Sequence, residues 1–344
     1  MLARYLGVLL TVALATVLTI PALAQGGATL PSGYSHFTEP LEVRPGETLT
    51  IGPGTSIWGT AFINVSGTLR VNATAASVAE FRIPIRVHPG GQAIVQHARF
   101  EGINATAIEV LGGDVELRNT AIGNSTWGIK VNRTGRLAAE DVILANQSGE
   151  ALSVSEAASV FVSRATFADN GRGATVYSAR AFHVNDSDFV RNAQHLVVDL
   201  GPWSVVGEDL LLARDRFHEP LSTPAQLAGI VLRHGAPLVD ASDERIVRMD
   251  SNLVQGAAVG LHVEGRGLAV HSVNDTFVDN VIGLRVQQST VRLERPTFGN
   301  DRDVEGSGRV ALEDATYLRA RGTAATPGEP AAPWAPWLVG GGLV

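Results

Sequence analysis

The sequence predicts an elongated all-β domain built as a parallel β-solenoid, and three observations support this fold class. Short β-branched segments alternate with Gly, Asn and Asp, and no long stretch after residue 24 shows the 3.6-residue apolar period of a helix. An apolar residue followed closely by Asn recurs at steps of 22, 21, 24 and 22 residues between positions 100 and 189. A repeating unit of this length with two or three short strands and no helix is typical of one coil of a solenoid.

The repeated segments predict which side chains face the interior. Two copies align over ten residues, HVNDSDFVRN at 183–192 and HSVNDTFVDN at 271–280. Stacking of the coils would place Phe167, Phe189 and their equivalents in one internal column. The Asn that follows would lie at a tight turn between sheets, where its amide can donate to one coil and accept from another. The predicted structural Asn column consists of Asn146, Asn170, Asn192 and Asn280.

The repeats, at about 93–200 and 250–318, resemble the right-handed parallel β-helix repeat family, which includes pectin-degrading enzymes and many envelope proteins. Upstream, VRPGETLTIGPGT at 43–55 and INVSGTLRV at 63–71 are similar to the opening of secreted β-helix proteins. We therefore expect an all-β fold, a right-handed parallel β-helix (solenoid) of roughly a dozen rungs of about 22 residues.

In this division of the chain, residues 25–48 form an N-terminal cap or lead-in and residues 49–320 form the β-helix. The section 201–250 interrupts the repeat with four prolines, which disfavour central strand positions. Its apolar runs at 210–212 and 230–232 could still form coils that carry long loops. Because functional sites prefer loops on rigid scaffolds, a binding surface is expected to involve this section. A tolerated insertion with a solvated charged face explains it equally well.

The N-terminus predicts export. Residues 1–24 contain a positive Arg4, an uncharged apolar stretch at 6–20 and a small-x-small exit, which is the layout of a signal peptide cleaved before Gln25. An uncleaved anchor is the alternative, but an apolar stretch of this length is short of the ~20 residues that span a bilayer. An extracellular or cell-surface location follows.

The C-terminus predicts a linker and a short apolar tail. Residues 321–336 are rich in Ala, Pro, Thr and Gly, which favours an extended linker. Residues 337–344 are apolar or Gly, too few to cross a membrane, with Trp334 and Trp337 placed like the aromatic residues that flank a span. The tail is either the start of a membrane anchor or a frayed end.

Asn-x-Ser/Thr triplets are far more frequent than chance. Eight of the 14 Asn residues begin such a triplet, whereas the 44 Ser and Thr among 344 residues would give about two. The excess fits N-glycosylation of an exported protein. Turns of a β-rich fold also favour Asn followed by Ser or Thr, which is the alternative explanation. The candidate sites are Asn64, Asn72, Asn104, Asn124, Asn132, Asn146, Asn185 and Asn274.

Composition argues against several functions. The chain has no Cys, so disulfides, thiolate metal sites and Cys nucleophiles are excluded. A net charge of −7 argues against a nucleic-acid partner. No close His, Asp and Glu spacing supports a metal site, and no cofactor is expected. His183 and His271 occupy equivalent repeat positions and are interpreted as residues inherited with the repeat.

Catalysis is the alternative to a binding role. Enzymes of this fold cleave acidic polysaccharides with paired carboxylates, or with a basic residue beside a carboxylate and often calcium. Outward acids on successive coils lie about 5 Å apart, so carboxylate pairs also arise by chance. The hydrolase motifs Asn-Thr-Asp and Gly-His-Gly are absent, and RHG at 233–235 is the nearest partial match. The candidate catalytic residues are Asp186, Asp188, Asp209, Arg214 and Asp215.

These observations favour a non-catalytic, N-glycosylated surface protein that acts as a structural or binding module. Its expected partners are polysaccharides or cell-envelope glycans, with attachment to the membrane through the tail if the anchor continues. The alternative is an extracellular polysaccharide lyase or glycoside hydrolase that acts on acidic polysaccharide.

Overall fold

The computed structural model describes residues 27–200, 209–218, 228–235 and 245–318, and all regular elements within these ranges are β-strands. Each strand pairs in parallel with the equivalent strand of the next coil. The described chain winds through three sheets, called sheets 1, 2 and 3, in twelve complete coils followed by two strands of a thirteenth. The predicted all-β parallel solenoid is confirmed.

Sheet 1 holds the first strand of every coil. Its strands are Ala28–Leu30, Thr48–Ile51, Thr68–Asn72, Gln92–Gln96, the first halves of Asp114–Gly123 and Arg136–Ala145, Ser159–Ser163, Ala181–Asn185, Asp209–Ala213, Arg245–Asp250, Leu268–Val273, Thr290–Glu294 and Arg309–Glu313.

Sheet 2 holds the second strand of every coil, and most of its strands are short. They are Gly33–Phe37, Thr55–Gly59, Ala79–Phe81, Ala98–Glu101, the second halves of Asp114–Gly123 and Arg136–Ala145, Thr166–Ala168, Asp188–Val190, Arg216–His218, Leu253–Gln255, Thr276–Val278, Thr297–Gly299 and Thr316–Tyr317.

Sheet 3 closes each complete coil. Its strands are Leu41–Val43, Ile63–Val65, Ile85–Val87, Thr106–Leu111, Trp127–Asn132, Glu150–Ser155, Arg172–Val176, Gln194–Leu200, Ala228–His234, Val259–Glu264, Ile282–Gln287 and Arg302–Gly306.

The core is a stack of like side chains along the solenoid axis. Alternate residues of each strand point inward, as the two-residue period of a strand requires, and Phe residues of sheet 2 stack directly on one another. Phe189 lies between Phe167 and Phe217, with ring centroids 4.3 and 4.7 Å apart, and all three rings are fully buried. Since a single coil cannot bury these rings, the stacking of coils provides the apolar burial that stabilises the fold.

From the fourth coil onward, the corner between sheets 1 and 2 is turned by one residue in the left-handed region, and none of these residues is Gly. Asp141, Arg164, Asp186 and Arg214 have φ between 50° and 57°. Such a conformation is uncommon outside Gly, and it turns the following side chain inward. At this corner, each of these exposed residues is therefore followed by a buried residue, as Arg214 is followed by Asp215.

Buried amide side chains link the coils at the turn between sheets 2 and 3. Asn192 Oδ1 accepts from the backbone N–H of Asn170 at 3.0 Å, and its Nδ2 donates to the Phe167 carbonyl at 2.8 Å. Asn280 and Asn300 repeat this pattern, with 3.1 Å between Asn280 N and Asn300 Oδ1. We call these two series, Gln147–Asn170–Asn192 and Asn280–Asn300, the Asn ladders. They satisfy polar groups that would be costly to bury unpaired.

The predicted column is corrected at Asn146. Asn146 has φ of 60° and an exposed side chain. Gln147 occupies the buried position instead and is the first member of its ladder. Gln147 N donates to Asn170 Oδ1 at 2.9 Å, and Gln147 Nε2 donates to the Ile122 carbonyl. The physical reason is that Asn146 takes the left-handed conformation at the turn, so that the side chain of the next residue, Gln147, points inward.

Two further predictions about the domain limits can be compared with the structure. The N-terminal cap or lead-in at 25–48 stays a prediction; within it, Ala28–Leu30 pairs in parallel with Thr48–Ile51. In the section 201–250, Asp209–Ala213 and Ala228–His234 continue the ladders of their neighbours. The predicted signal peptide, linker and apolar tail lie outside the described residues. Within the described ranges, no helix is long and apolar enough to span a membrane.

Candidate functional site

The outer face of sheet 1 carries aromatic, basic and acidic side chains in register. Phe161 is paired with His183, which is followed by Leu211, Arg248 and His271 on the next three coils. Successive side chains in such a column are about 4.8 Å apart. His183 and His271 thus share a column but are separated by two intervening coils.

A groove runs along the border of this face, where the turns from sheet 3 lead into sheet 1. Its cavity of about 600 Å³ is lined by paired glycines at 90–91 and 112–113, and by Asp114, Arg136 and Arg180. A second cavity of about 240 Å³ shares Asp114 and Arg136 and extends onto the sheet as far as Phe161. The two cavities form a continuous surface, which we call the sheet 1 groove.

The base of the groove is backbone because the turns of adjacent coils pack too closely for side chains. A Cβ at Gly91 would lie 2.1 Å from the Val65 carbonyl oxygen, and one at Gly113 would lie 2.5 Å from the His88 carbonyl oxygen. Contacts this short do not occur between real atoms, so only Gly fits at either position. A ligand can therefore approach the main chain closely between the flanking side chains.

The groove carries charges of both signs. Its two cavities are lined by Arg136 and Arg180 and by Asp114 and Glu116. Arg136 Nη1 lies 3.8 Å from Asp114 Oδ1, and both side chains are more than half exposed, so this ion pair contributes little to stability. Within the described ranges, Arg180 has no carboxylate within ion-pair distance. Two guanidinium groups thus face solvent at the same edge, beside two carboxylates.

An acid–base pair lies beside the groove. His183 Nε2 is 2.8 Å from Asp209 Oδ2, and Arg248 donates to the other oxygen of Asp209. Partial burial alone would raise the pKa of Asp209, but hydrogen bonds from His183 and Arg248 and their charges lower it below its usual value. The ring of His183 meets Phe161 edge-on, with centroids 5.0 Å apart, and Phe161 is 44% exposed.

The structure separates the five candidate catalytic residues. Asp186 and Arg214 face each other across the corner, with Nε to Oδ1 at 2.6 Å and Nη2 to Oδ2 at 2.8 Å. The hydrogen bonds from Arg214 hold the pKa of Asp186 below its usual range. Asp188 lies on sheet 2 and binds Arg216 in the same two-point manner, at 2.5 and 2.6 Å. Both carboxylates are therefore engaged by arginines of the next coil.

The other two members of the set lie on different surfaces. Asp209 faces outward from sheet 1, as described above. Asp215 faces the core, where it is 1% exposed and accepts from the Ser187 backbone N–H at 2.8 Å. Burial raises its pKa to about 8. The set is thus divided among a corner, two sheets and the interior, so it does not form one constellation.

The sequons are distributed over the turns and sheet faces. Asn64 is half-buried and donates to Glu42 Oε1 at 2.7 Å, and Asn132 and Asn185 are also half-buried. In the Asn185 sequon, Ser187 is buried and its hydroxyl donates to the Asn185 carbonyl. The exposed members are Asn72, Asn104, Asn124, Asn146 and Asn274.

The groove was not identified from the sequence. Its polar and aromatic side chains include Gln92, Asp114, Glu116, Arg136, Ser159, Phe161 and Arg180, of which none stands in a recognised motif. The available signal is the pair of Gly-Gly dipeptides, 22 residues apart, which marks a turn repeated in register. Within the part of the chain that the structure describes, no group of three His, Asp or Glu side chains lies close enough to hold a metal ion.

The three parallel sheets, stacked coil on coil, are the architecture of parallel β-helix proteins. Residues 62–207 match the family model described as right handed beta helix region. The predicted resemblance is confirmed. No curated protein matches the sequence.

Solved structures with the same fold act on polysaccharides according to their descriptions. The mannuronan C-5 epimerase AlgE4 A-module of Azotobacter vinelandii aligns with a TM-score of 0.51 and 12% identity, over 86% of this chain and 88% of that chain. The catalytic domain of a GH87 alpha-1,3-glucanase aligns with a TM-score of 0.39 and 11% identity, over 88% and 62%. An alginate lyase from Paenibacillus sp. aligns with a TM-score of 0.28 and 9% identity, over 82% and 98%. At these identities the likeness shows the fold alone.

Proposed function

We propose that this chain is an exported, non-catalytic module that binds an extended acidic polysaccharide along the sheet 1 groove. The observation that carries the proposal is the groove itself, in which a backbone surface lies between exposed arginines and an exposed aromatic ring. Function is argued from this site, because one fold serves many activities.

The chemistry of the groove fits a polymer of uronic acids. Arg136 and Arg180 present planar guanidinium groups, which bind carboxylates through two parallel hydrogen bonds. Phe161 offers an apolar ring face against which the C–H surface of a sugar can pack. The Gly-Gly turns leave the base of the groove without side chains. The groove crosses several coils, so it is long enough for consecutive sugars.

The state of the nearby carboxylates favours binding over cleavage. Asp186 and Asp188 are each held by an arginine at two points, and the pKa of Asp209 is lowered by its partners. A general acid needs the opposite, a raised pKa in a position that the substrate can reach. Asp215 has a raised pKa, but it faces the core.

One observation favours the alternative of an enzyme. His183 is oriented by Asp209 and lies next to Phe161, the arrangement in which a His can act as a general base. In that function, His183 would take a proton from a sugar bound over Phe161, and Arg248 would stabilise the charge of Asp209. The alternative is a lyase or epimerase that acts on acidic polysaccharide.

Binding measurements test the proposal. We expect polyuronate oligosaccharides to bind the wild type in calorimetry, and Arg136→Ala and Arg180→Ala each to weaken binding about 10- to 100-fold, since a hydrogen bond to a charged group is worth about 1.5–3 kcal/mol. Arg285→Ala, on sheet 3 and paired with Glu305, is the matched control and should bind normally. Absence of polyuronate binding by the wild type, or an equal loss in Arg285→Ala, would refute the proposal.

Turnover distinguishes the two functions. The same oligosaccharides are incubated with the protein, and unsaturated ends, reducing ends and the composition of the uronates are followed. The proposal predicts no change in the polymer. A reaction that His183→Ala abolishes, while binding persists, would establish the enzyme instead.

A further inference from the structure

The outer face of sheet 3 carries a second cluster of aromatic and polar side chains, none of which lines the sheet 1 groove. Most of its members stand in one column at the start of consecutive strands, where Thr106 is paired with Trp127 and Glu150 is paired with Arg172 and then Gln194. Tyr177 follows the strand that Arg172 begins, and its hydroxyl reaches Glu150.

The centre of the cluster is Glu150. Its Oε1 accepts from Arg172 Nη1 at 3.1 Å and from the Tyr177 hydroxyl at 3.5 Å. Its side chain is 13% exposed, so the carboxylate is held largely out of water. No described residue donates to its Oε2. The carboxylate therefore has one oxygen fixed by two donors and a second oxygen that can accept from a ligand hydroxyl.

Two aromatic rings flank this carboxylate. Trp127 is 42% exposed and Tyr177 is 41% exposed, which is unusual for rings of this size. The indole of Trp127 packs against the next coil at residue 149, which is Gly. A Cβ at Gly149 would lie 2.7 Å from Trp127 Nε1 and 3.0 Å from its Cδ1. The glycine thus leaves room for this partly exposed ring.

The polar groups beside the rings are oriented before any ligand binds. Arg172 donates through Nε to Gln194 Oε1 at 3.2 Å and through Nη1 to Glu150, so its guanidinium is fixed at two points. Burial and the charge of Glu150 raise the pKa of Tyr177, and its hydroxyl remains a donor at neutral pH. A fixed donor and a fixed acceptor side by side match the two hydroxyls of a vicinal diol.

We propose that Trp127, Glu150, Arg172 and Tyr177 form a second carbohydrate-binding site, specific for a neutral hexose chain. A sugar ring would pack on the indole of Trp127, with adjacent hydroxyls donating to Glu150 Oε2 and accepting from Arg172. The partly buried carboxylate at the centre would repel a uronate, so this site selects against the acidic polymer expected in the sheet 1 groove.

The test uses neutral hexamers of glucose, mannose and galactose, measured by calorimetry and by saturation-transfer NMR. We expect at least one hexamer to bind the wild type, and Trp127→Ala and Glu150→Gln each to weaken binding at least tenfold. Trp58→Ala is the matched control, because Trp58 is also 42% exposed but faces outward from sheet 2 beside His36. Melting temperatures of all variants establish that they fold, and Trp127→Phe should retain part of the affinity.

Each outcome bears on the proposal. Failure of all three hexamers to bind the wild type, or an equal loss in Trp58→Ala, overturns it. A wild type that binds neutral hexamers and loses them in Arg136→Ala also overturns it, because the ligand would then lie in the sheet 1 groove. Binding of polyuronate is measured in parallel, so that failure at one site is distinguished from failure at the other.

Discussion

The amide Nδ2 of Asn300 lies 3.1 Å from Oδ1 of Asp303, three residues further along the chain. The same spacing joins Asn192 Nδ2 with His195 Nδ1 at 3.3 Å. Each Asn is the last described member of its ladder. Burial lowers the pKa of His195 to about 3, which keeps the ring neutral and able to accept at Nδ1. A side chain of the same coil thus provides a partner for the terminal amide.

Where a ladder continues, the residue three positions after Asn is Gly. Gly173 follows Asn170, and Gly283 follows Asn280. A Cβ at Gly283 would lie 2.4 Å from Asn300 Nδ2, the amide that the next coil supplies. Gly283 therefore makes room for the incoming amide, whereas Gly173 makes room for the His195 carbonyl oxygen and the Phe189 ring, 2.4 and 2.7 Å from an added Cβ. A polar acceptor occupies the equivalent position after the last amide.

Gly283→Ala tests this relationship. The added methyl group would meet both Asn300 Nδ2 and, at 2.9 Å, the Asp303 carbonyl oxygen, so we expect a loss of roughly 1–3 kcal/mol in the free energy of unfolding. Thermal melting measures it. Gly235→Ala is the control, because a Cβ there has no atom of a described residue within 4 Å. Equal melting temperatures for the two variants would contradict the packing argument.

Removal of a ladder amide should destabilise the protein. Asn280→Ala leaves the Ala257 backbone N–H and the Val254 carbonyl without their partner, and each unsatisfied buried group costs about 1–3 kcal/mol. Urea unfolding measures the change. Asn146→Gly, at an exposed position with φ of 60° that Gly adopts without strain, should be within about 0.5 kcal/mol of the wild type. A comparable cost at Asn146 would show that the inward position is assigned wrongly.

The fold could be predicted from the sequence because every coil of a solenoid needs apolar side chains at the same inward positions, so the pattern recurs along the chain. The spacing of Phe100, Phe167 and Phe189 shows the length of a coil, and the structure places these rings in the core. The one-residue error at Asn146 arose at the turn. Sequence alone does not show that this Asn takes the left-handed conformation while Gln147 faces inward.

The sites could not be predicted in the same way. Arg136 and Arg180 are two coils apart in the chain, and only the turn geometry brings them to one groove. The carboxylates Asp186 and Asp188 are conspicuous in the sequence, yet arginines of the following coil bind them. Which side chain meets which depends on the loop lengths between strands, such as the 28 residues that separate Asp186 from Arg214, and the repeat does not encode these.

The Phe column should dominate the stability of the middle of the protein. Phe189→Ala opens a cavity between Phe167 and Phe217 and should cost about 3–5 kcal/mol. Phe161→Ala is the control, since that ring is 44% exposed and lies on the outer face of sheet 1. Chemical denaturation of both variants measures the difference. If Phe161→Ala destabilised the protein as much, burial would not explain the effect of Phe189.

The buried Asp215 should make stability depend on pH in an unusual direction. Burial raises its pKa to about 8, and its Oδ2 has no hydrogen-bond partner. In the unfolded chain the pKa is about 3.9. Between these values the folded state keeps the proton and the unfolded state releases it. The contribution of Asp215 is therefore fully present below about pH 4 and is lost as the pH rises through 8, by about 1.4 kcal/mol per pH unit.

Asp215→Asn removes this dependence, since an amide keeps the acceptor for the Ser187 N–H and carries no charge at any pH. Urea unfolding from pH 5 to 9 should show that the variant loses less stability than the wild type as the pH rises. Asp275, with a pKa raised to about 7 by burial, should respond to Asp275→Asn in the same direction. Asp186→Asn is the control, because its exposed carboxylate has a lowered pKa and is already ionised across this range. Parallel pH profiles for Asp215→Asn and the wild type would mean that Asp215 is ionised in the folded protein.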